Sequence, residues 1–426
     1  MNFYRRFEKT FVLLLNVFIL CFMMTASAAE NTTPAASTEV KPSPATSQQI
    51  SPPPVISPSG KPSSNAIGCI LPLSGKYADW GNKALNAIEL SAGISNKENK
   101  PPWEVIVEDS QGSPEKTKAA VATLAENKNV LAIIALTETA EAMDVAREAN
   151  KRKVPIIMIT SKEGVTAAGE YVFQHFLTPT QQIKALVNYV TDNLNCAIFS
   201  ILYPQDEYGE EMFKIFRKEI TGTGGKVEKA ISYSIKQTDF AGEIGKLTGT
   251  AAKSPSKSRT NKDDEQEIVP VDFEALFIPD SYMRVKMIAS QLDFYNVKGF
   301  VLLGTSLWNS PNLLKNGSEY LEDAIFADSF FKDGSYPETF NFVDSYNTVY
   351  KRYPENIEAL AFDTAGMIFT VMENENVKTR RALITRLTSI GVYNGATGSM
   401  YFDADRVAQK TPFILKVKKG NLEQVK

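Results

Sequence analysis

Short unbroken apolar runs recur along this chain, each followed by a stretch whose apolar positions return every three to four residues. "AIGCILPL", "WEVIVED", "VLAIIAL" and "VPIIMIT" lead the series. Strands this apolar must be covered on both faces, as in parallel sheets. Between them, "SPEKTKAAVATLAENK" opens on Ser-Pro, a cap and first-turn pair, and "QQIKALVNYVTDN" sets Ile183, Leu186, Val187 and Val190 on one helical face. The alternation resumes with "CAIFSILYP", "EYGEEMFKIFRKEI", "KVEKAISYS", "FEALFIP", "DSYMRVKMIASQLDFYN" and "GFVLLGTS". Such βαβ units predict a doubly wound α/β protein. Roughly ten strands exceed one modest sheet, and the pattern breaks at "YVFQHFLTPT" (Tyr171–Thr180). Two parallel-sheet lobes joined by a multi-crossing hinge are expected, with residues 65–178 plus 306–388 in the first and 179–305 plus 389–426 in the second.

Three segments fall outside this pattern. Arg5, Arg6 and Lys9 precede the apolar run "FVLLLNVFILCFMM" and then "TASAAE", which reads as a signal peptide over 1–28, cut after Ala28, and hence as an exported, periplasmic protein. Leu20 and Ile19 stand where lipidation of Cys21 would need small residues, so a tether is not favoured. Residues 29–64 are Pro-, Ser- and Thr-rich and lack aromatics, the composition of a disordered spacer. Residues 251–268, including "KSPSKSRTNKDDEQE", read as a flexible surface insert between patterned segments.

Charge and residue chemistry narrow the function. Removal of Arg5, Arg6, Lys9 and Glu8 carries the formal charge from -3 to -5, with no basic stripe, so nucleic acid is not expected as a partner. Cys69 and Cys196 lie in strand-like runs and read as small buried hydrophobes rather than a disulfide. With these two thiols and His175 alone, no N/S metal constellation is available, and neither a Gly-x-Ser-x-Gly elbow nor a phosphate loop is found. His175 reads as a core or crossover residue. The chain is therefore not expected to be an enzyme, nor to carry a cofactor.

"IGCILPLSGKYADWG", "VEDSQGSPEKTKAAVATL", "YPQDEYGEEMFKIFRKEI", "ALAFDTAGMI" and "GATGSMYFDADR" occur in the order found in type I periplasmic solute-binding proteins. The chain resembles the branched-chain amino-acid (leucine-binding) family of that group over about residues 66–420. The resemblance implies a ligand held between two lobes and passed to an ABC permease. Ligands of open α/β sheets sit beyond the strands' carboxyl ends, where helix N-termini present free N–H groups. Ser74 lies in such a loop, with Tyr77 and Trp80 able to wall a pocket. Trp80 could equally pack between lobes, and Gly75 and Gly81 could serve turns or the ligand. Thr137 and Thr139 match the family's carboxylate-gripping loop, where a hydroxyl could also cap the next helix. Thr160 and Ser161 match a ligand-binding loop after the fourth strand, and Tyr208 matches a tyrosine that closes over the ligand.

One departure concerns the ligand. Amino-acid binders place an acid after the "FIP" strand to pair the ligand's ammonium, whereas Met283 or Arg284 falls near that position here and Asp280 a few residues earlier. An unpaired desolvated cation costs several kcal/mol, so Asp280 must take over that role, or the ligand is an acid lacking the amine or something larger and less polar. Trp308, at a strand end, adds a second flat wall. The favoured reading is capture of an amino acid or related carboxylate-bearing small molecule. The alternative is a non-enzymatic activator of a wall synthase, since the segment from Pro279 to Leu314 is similar to penicillin-binding-protein activators of the same fold.

Overall fold

Each continuous apolar run forms a strand, and the amphipathic stretches form the helices between them. The computed structural model describes residues 66–94, 103–249, 268–374 and 377–425, all within one compact unit, Lys61–Lys426. The expected leader, spacer, Cys21 and insert (Ile268 apart) lie outside the described residues. In chain order the first lobe contains β1 (Ala66–Leu71), α1 (Ala78–Ser91), β2 (Glu104–Asp109), α2 (Pro114–Glu126), β3 (Val130–Leu136), α3 (Thr139–Lys151), β4 (Ile156–Ile159) and β5 (Val172–Gln174). The strands form a parallel sheet in the order β2-β1-β3-β4-β5. β1 is buried throughout because both faces are covered. Ile67, Cys69 and Leu71 pack with α1 on one side, while Ala66 and Ile70 pack with α2 and α3 on the other.

The second lobe runs α4 (Pro179–Leu194), β6 (Ile198–Pro204), α5 (Glu207–Gly222), β7 (Lys226–Tyr233), α6 (Ala241–Thr248), β8 (Ala275–Phe277), α7 (Tyr282–Phe294), β9 (Val301–Gly304) and β10 (Ile325–Asp328). α8 (Pro337–Tyr350), α9 (Asn356–Asn374), α10 (Arg380–Thr388), β11 (Tyr393–Gly395), β12 (Gly398–Phe402) and β13 (Ala408–Lys410) follow, then β14 (Phe413–Lys418) and β15 (Asn421–Gln424). The second sheet has the order β15-β14-β10-β9-β8-β6-β7; β6 to β10 are parallel, and β14 and β15 are antiparallel. It too is covered on both faces, with Leu202, Leu276 and Ile278 in one cluster and Phe199, Ala275 and Phe277 in the other.

The lobe boundaries differ from those expected. Residues 306–328 belong to the second lobe, not the first, because β10 pairs with β9 and β14. Residues 389–408 belong to the first lobe, where Ala396, Met400, Phe402 and Ala408 join the core that holds α1 and α9. The chain therefore crosses three times: after β5, at Phe330 (first core) and Phe331 (second core), and between Ala408 and Phe413. At the first crossing Thr178 and Gln181 form a capping box around Pro179, each side chain bonding the other's backbone N–H (3.3 and 3.2 Å), which fixes where α4 starts. Two crossings leave from strand carboxyl ends, so both sheets present those ends toward the junction. Cys69 and Cys196 are free thiols and buried.

Candidate functional site

In the first sheet the strand order reverses between β1 and β3, and the helices that follow them, α1 and α3, lie on opposite faces. A crevice opens at such a point beyond the strand ends. Neither helix has a side-chain cap: the N-cap of α1 is Tyr77 and that of α3 is Glu138. In α1 the N–H groups of Ala78 and Trp80 bond the carbonyls of Gly75 (3.3 Å) and Tyr77 (3.0 Å) instead, whereas no side chain takes a first-turn N–H group of α3. Tyr77 Oη donates to Glu138 Oε2 at 2.9 Å, so the two caps meet across the crevice. Lys76 Nζ donates to the same hydroxyl at 2.8 Å and lies 4.6 Å from the ring centroid. Trp80 is 57% exposed, with its ring 6.0 Å from that of Tyr77.

Asp109, at the tip of β2, organises the floor of this loop. Its Oδ1 accepts from the N–H groups of Leu73 (2.8 Å) and Gln111 (2.9 Å), and its Oδ2 from Ser74 Oγ (2.6 Å). Burial pushes this carboxyl up, but those bonds outweigh it and hold it below the usual carboxylate range. Ser74 therefore gives its proton to Asp109. Gly75 sits at φ +80°, a turn position. Gly81 serves helix–strand packing instead, since a Cβ there would lie 2.1 Å from Pro72 O.

Thr137 stands at the tip of β3, 8% exposed, and its Oγ1 is buried without a hydrogen-bond partner. Thr139 is exposed and is the first helical residue rather than the cap, because Glu138 takes that place. Thr160 is buried and accepts from Lys162 N (3.3 Å); Ser161 is half-buried. Their loop turns toward the first crossing, where Glu163 accepts from Thr180 N (2.9 Å) and Thr180 Oγ1 (3.0 Å) at the start of α4.

The second lobe's tip is built differently. Asp206 caps α5, accepting from Gly209 N at 2.8 Å, and Ser281 caps α7. Tyr208 is half-buried; burial pushes its phenol up to about 12, aided by the charges of Asp280, Asp206 and Glu211 and opposed by a hydrogen bond with Thr305, so it stays neutral. Asp280 accepts from Tyr233 Oη (2.6 Å) and Ser281 N (2.6 Å), and lies 3.8 Å from Arg284 Nε. Arg284 in turn donates to the carbonyls of Ile235 (2.6 Å) and Gln237. Asp280 is thus at the correct sheet end for an ammonium, but already faces a guanidinium. Trp308 is not a wall. It is fully buried in the second lobe's core, packed over Gly304 where a Cβ would lie 2.2 Å from its ring.

At the crossings lies a buried polar group that the sequence reading left unassembled. Lys410 Nζ is 2.8 Å from His175 Nε2 and donates to Thr397 Oγ1. An ammonium can only donate, so Nε2 accepts, and the ring proton rests on Nδ1, 2.7 Å from Thr364 Oγ1, which donates to Leu360 O (2.6 Å). Asp363 accepts from Ala396 N (2.7 Å) and Thr397 N (2.8 Å), pinning the β11–β12 turn to α9. Burial lowers Lys410 to about 8 despite the carboxylates of Asp363 and Asp328, and holds His175 well below its ordinary value. Asp328, at the tip of β10, is raised by burial to about 7 despite bonds from Asn309 (2.7 Å), Ser329 N (2.6 Å) and Asn356. His175 is a crossover residue in a hydrogen-bonded chain.

Sequence reasoning missed Glu138, Asp109 and Thr305, although Glu138 stands between two residues it singled out. An acid directly after a strand was the available signal. Among the described residues no cluster of His, Cys, Asp or Glu could hold a metal, and no helix is long and apolar enough to cross a membrane. An open cavity of about 650 Å³ lined by Phe331, Asp333, Ser335 and Leu422–Val425 lies at the edge of the second sheet and shares no residue with either tip.

Two doubly wound lobes, three crossings and strand ends turned to the junction define a two-lobed binding protein of the type I class. The chain belongs to the periplasmic binding protein family, whose model matches residues 65–421. Solved structures with this fold include a leucine-binding protein, LivK, of Thermotoga maritima (20% identity, 85% of this chain and 98% of that one, TM-score 0.64). LivJ of Streptococcus pneumoniae in complex with isoleucine is similar at 20% identity, 84% and 97% coverage and TM-score 0.64. A solute-binding protein of R. palustris in complex with benzoate follows at 17% identity, 84% and 95% coverage and TM-score 0.61. No curated protein matches the chain.

Proposed function

We propose that this chain is a periplasmic solute receptor that captures a small molecule, an amino acid or related acid, between its lobes and delivers it to an ABC permease. The observation that carries the reading is the crevice between β1 and β3, where two helices start without side-chain caps and the Thr137 hydroxyl is buried without a partner. Ser74, Tyr77, Trp80, Thr137 and Thr139 would line the ligand from the first lobe, and Tyr208 and Asp280 from the second. Thr160 and Ser161 would shape the side nearest the hinge. Lobe closure is a population shift that a ligand drives only if it touches both halves. Structural neighbours include complexes with isoleucine, leucine and benzoate, which favours the receptor over the wall-synthase activator.

The test is thermal unfolding of the mature chain against amino acids and short organic acids. A ligand at a hundred times its dissociation constant stabilises by about 2.7 kcal/mol, a shift of about 3 °C for a domain pair of this size. A midpoint shift with at least one probe is the expected result. A flat response across the panel would remove the receptor reading.

A further inference from the structure

The receptor reading leaves open which end of the solute enters the first lobe. We infer that the β1/β3 crevice takes the ligand's ammonium group, with Glu138 as the residue that selects for it and against a carboxylate. Three independent observations point there.

First, the crevice already holds an ammonium. Lys76 Nζ donates to Tyr77 Oη at 2.8 Å, lies 4.6 Å from the centre of that ring, and is stabilised in its charged form by Tyr77 and Glu138. An exposed, flexible lysine side chain thus stands in for a cationic ligand on an aromatic face, an arrangement that suits amines.

Second, the free helix end is not free for an anion. Glu138 is the N-cap residue of α3, and its carboxylate is held across the crevice by Tyr77. A carboxylate brought to the first turn of α3 meets this like charge; Glu141 in the same turn is buried and accepts from Thr117 Oγ1 at 3.2 Å. On the β1 side, Asp109 already takes the N–H groups of Leu73, Ser74 and Gln111. The other nearby cation, Lys116, donates to Gln111 Oε1.

Third, Thr137, which leads β3 into Glu138, keeps a hydroxyl that is buried and unpartnered. Such a group costs free energy until something pairs with it. A hydroxyl accepts from an ammonium while its own proton turns to a neighbour. In the second lobe, by contrast, Asp280 is already matched by Arg284 and Tyr233. The ammonium partner has thus moved from the second lobe to the first.

The test uses matched probes on two skeletons: leucine, isoamylamine and 4-methylpentanoate, and phenylalanine, phenethylamine and 3-phenylpropanoate. Calorimetric titration of the full mature chain should show the amine and the amino acid of at least one skeleton binding, with the acid at least tenfold weaker. Glu138→Gln, isosteric and at an exposed position, should weaken the amine and the amino acid at least tenfold with the unfolding midpoint unchanged. Lys76→Ala, which removes the internal competitor, should tighten both. An acid that binds as well as its amino acid while the amine is silent overturns this inference and leaves the receptor standing. So does a Glu138→Gln variant that binds the amine as the parent does. Silence from all six probes overturns the receptor reading itself, and this inference with it.

Discussion

The two lobes open with the same βα unit and finish it differently. In each, a proline ends or follows the first strand, a tyrosine enters the helix, and a glycine in that helix lies against the proline's carbonyl: Pro72, Tyr77 and Gly81 in the first, Pro204, Tyr208 and Gly209 in the second. The helix starts then diverge. Asp206 and Ser281 close α5 and α7 with side-chain caps, whereas Tyr77 and Glu138 leave α1 and α3 without them. Their tip carboxylates also part ways, with Asp109 held below the ordinary range and Asp328 raised to about 7. Both lobes keep buried polar atoms without a partner, Thr137 Oγ1 in the first and Thr191 Oγ1 and Trp308 Nε1 in the second, so the contrast lies in the caps of these four helices. Under the receptor reading, the first lobe meets the solute and the second shuts over it.

The largest expected effect separates the two carboxylates by pH. Asp109, lowered in the fold, adds stability that is present above the ordinary aspartate value near 3.9 and is lost as pH falls through its folded value. Asp328 has the opposite sign. Because its folded value is raised, the folded state binds the proton more tightly, and stability falls as pH climbs from about 3.9 to about 7. Three units amount to about 4 kcal/mol at most. Denaturant unfolding of Asp328→Asn between pH 4 and 7 should lose that decline; an unchanged slope would deny the difference.

Next comes the feature the lobes share. A Cβ at Gly81 would lie 2.1 Å from Pro72 O, and one at Gly209 1.9 Å from Pro204 O. Backbone carbonyls cannot step aside cheaply, so Gly81→Ala and Gly209→Ala should each cost about 3 kcal/mol. Similar losses in chemical unfolding would show that the two units are built alike; a tolerated alanine in one would break the parallel.

The caps give the smallest effect. Asp206→Ala and Ser281→Ala should each cost about 1 kcal/mol. Glu138→Gln makes no such loss because its side chain bonds no helix N–H, and its unfolding free energy should stay within about 0.5 kcal/mol of the parent. Equal losses at all three would erase the contrast.

Much of this architecture was open to reading from the amino-acid order. Strands such as "VLAIIAL" announce burial on both faces, and Thr178-Pro179 marks the first crossing. The four residues of β10 did not stand out, because "IFAD" is too short to carry a period and sits among turns; the second crossing was therefore placed too early. Trp308 misled because a ring at a strand end can face either way. Gly304, whose missing side chain makes room for the ring, was the clue. Glu138 and Asp109 were hidden for another reason. What they do depends on the meeting of β1, β2 and β3, which no single segment reveals.

The decisive measurement is calorimetric titration of Thr137→Val and Tyr208→Phe with whichever probe shifts the parent's unfolding. If a solute is gripped from both halves, each variant loses at least fivefold in affinity, one from each side of the junction. If either binds as the parent does, the solute does not bridge the lobes at these tips.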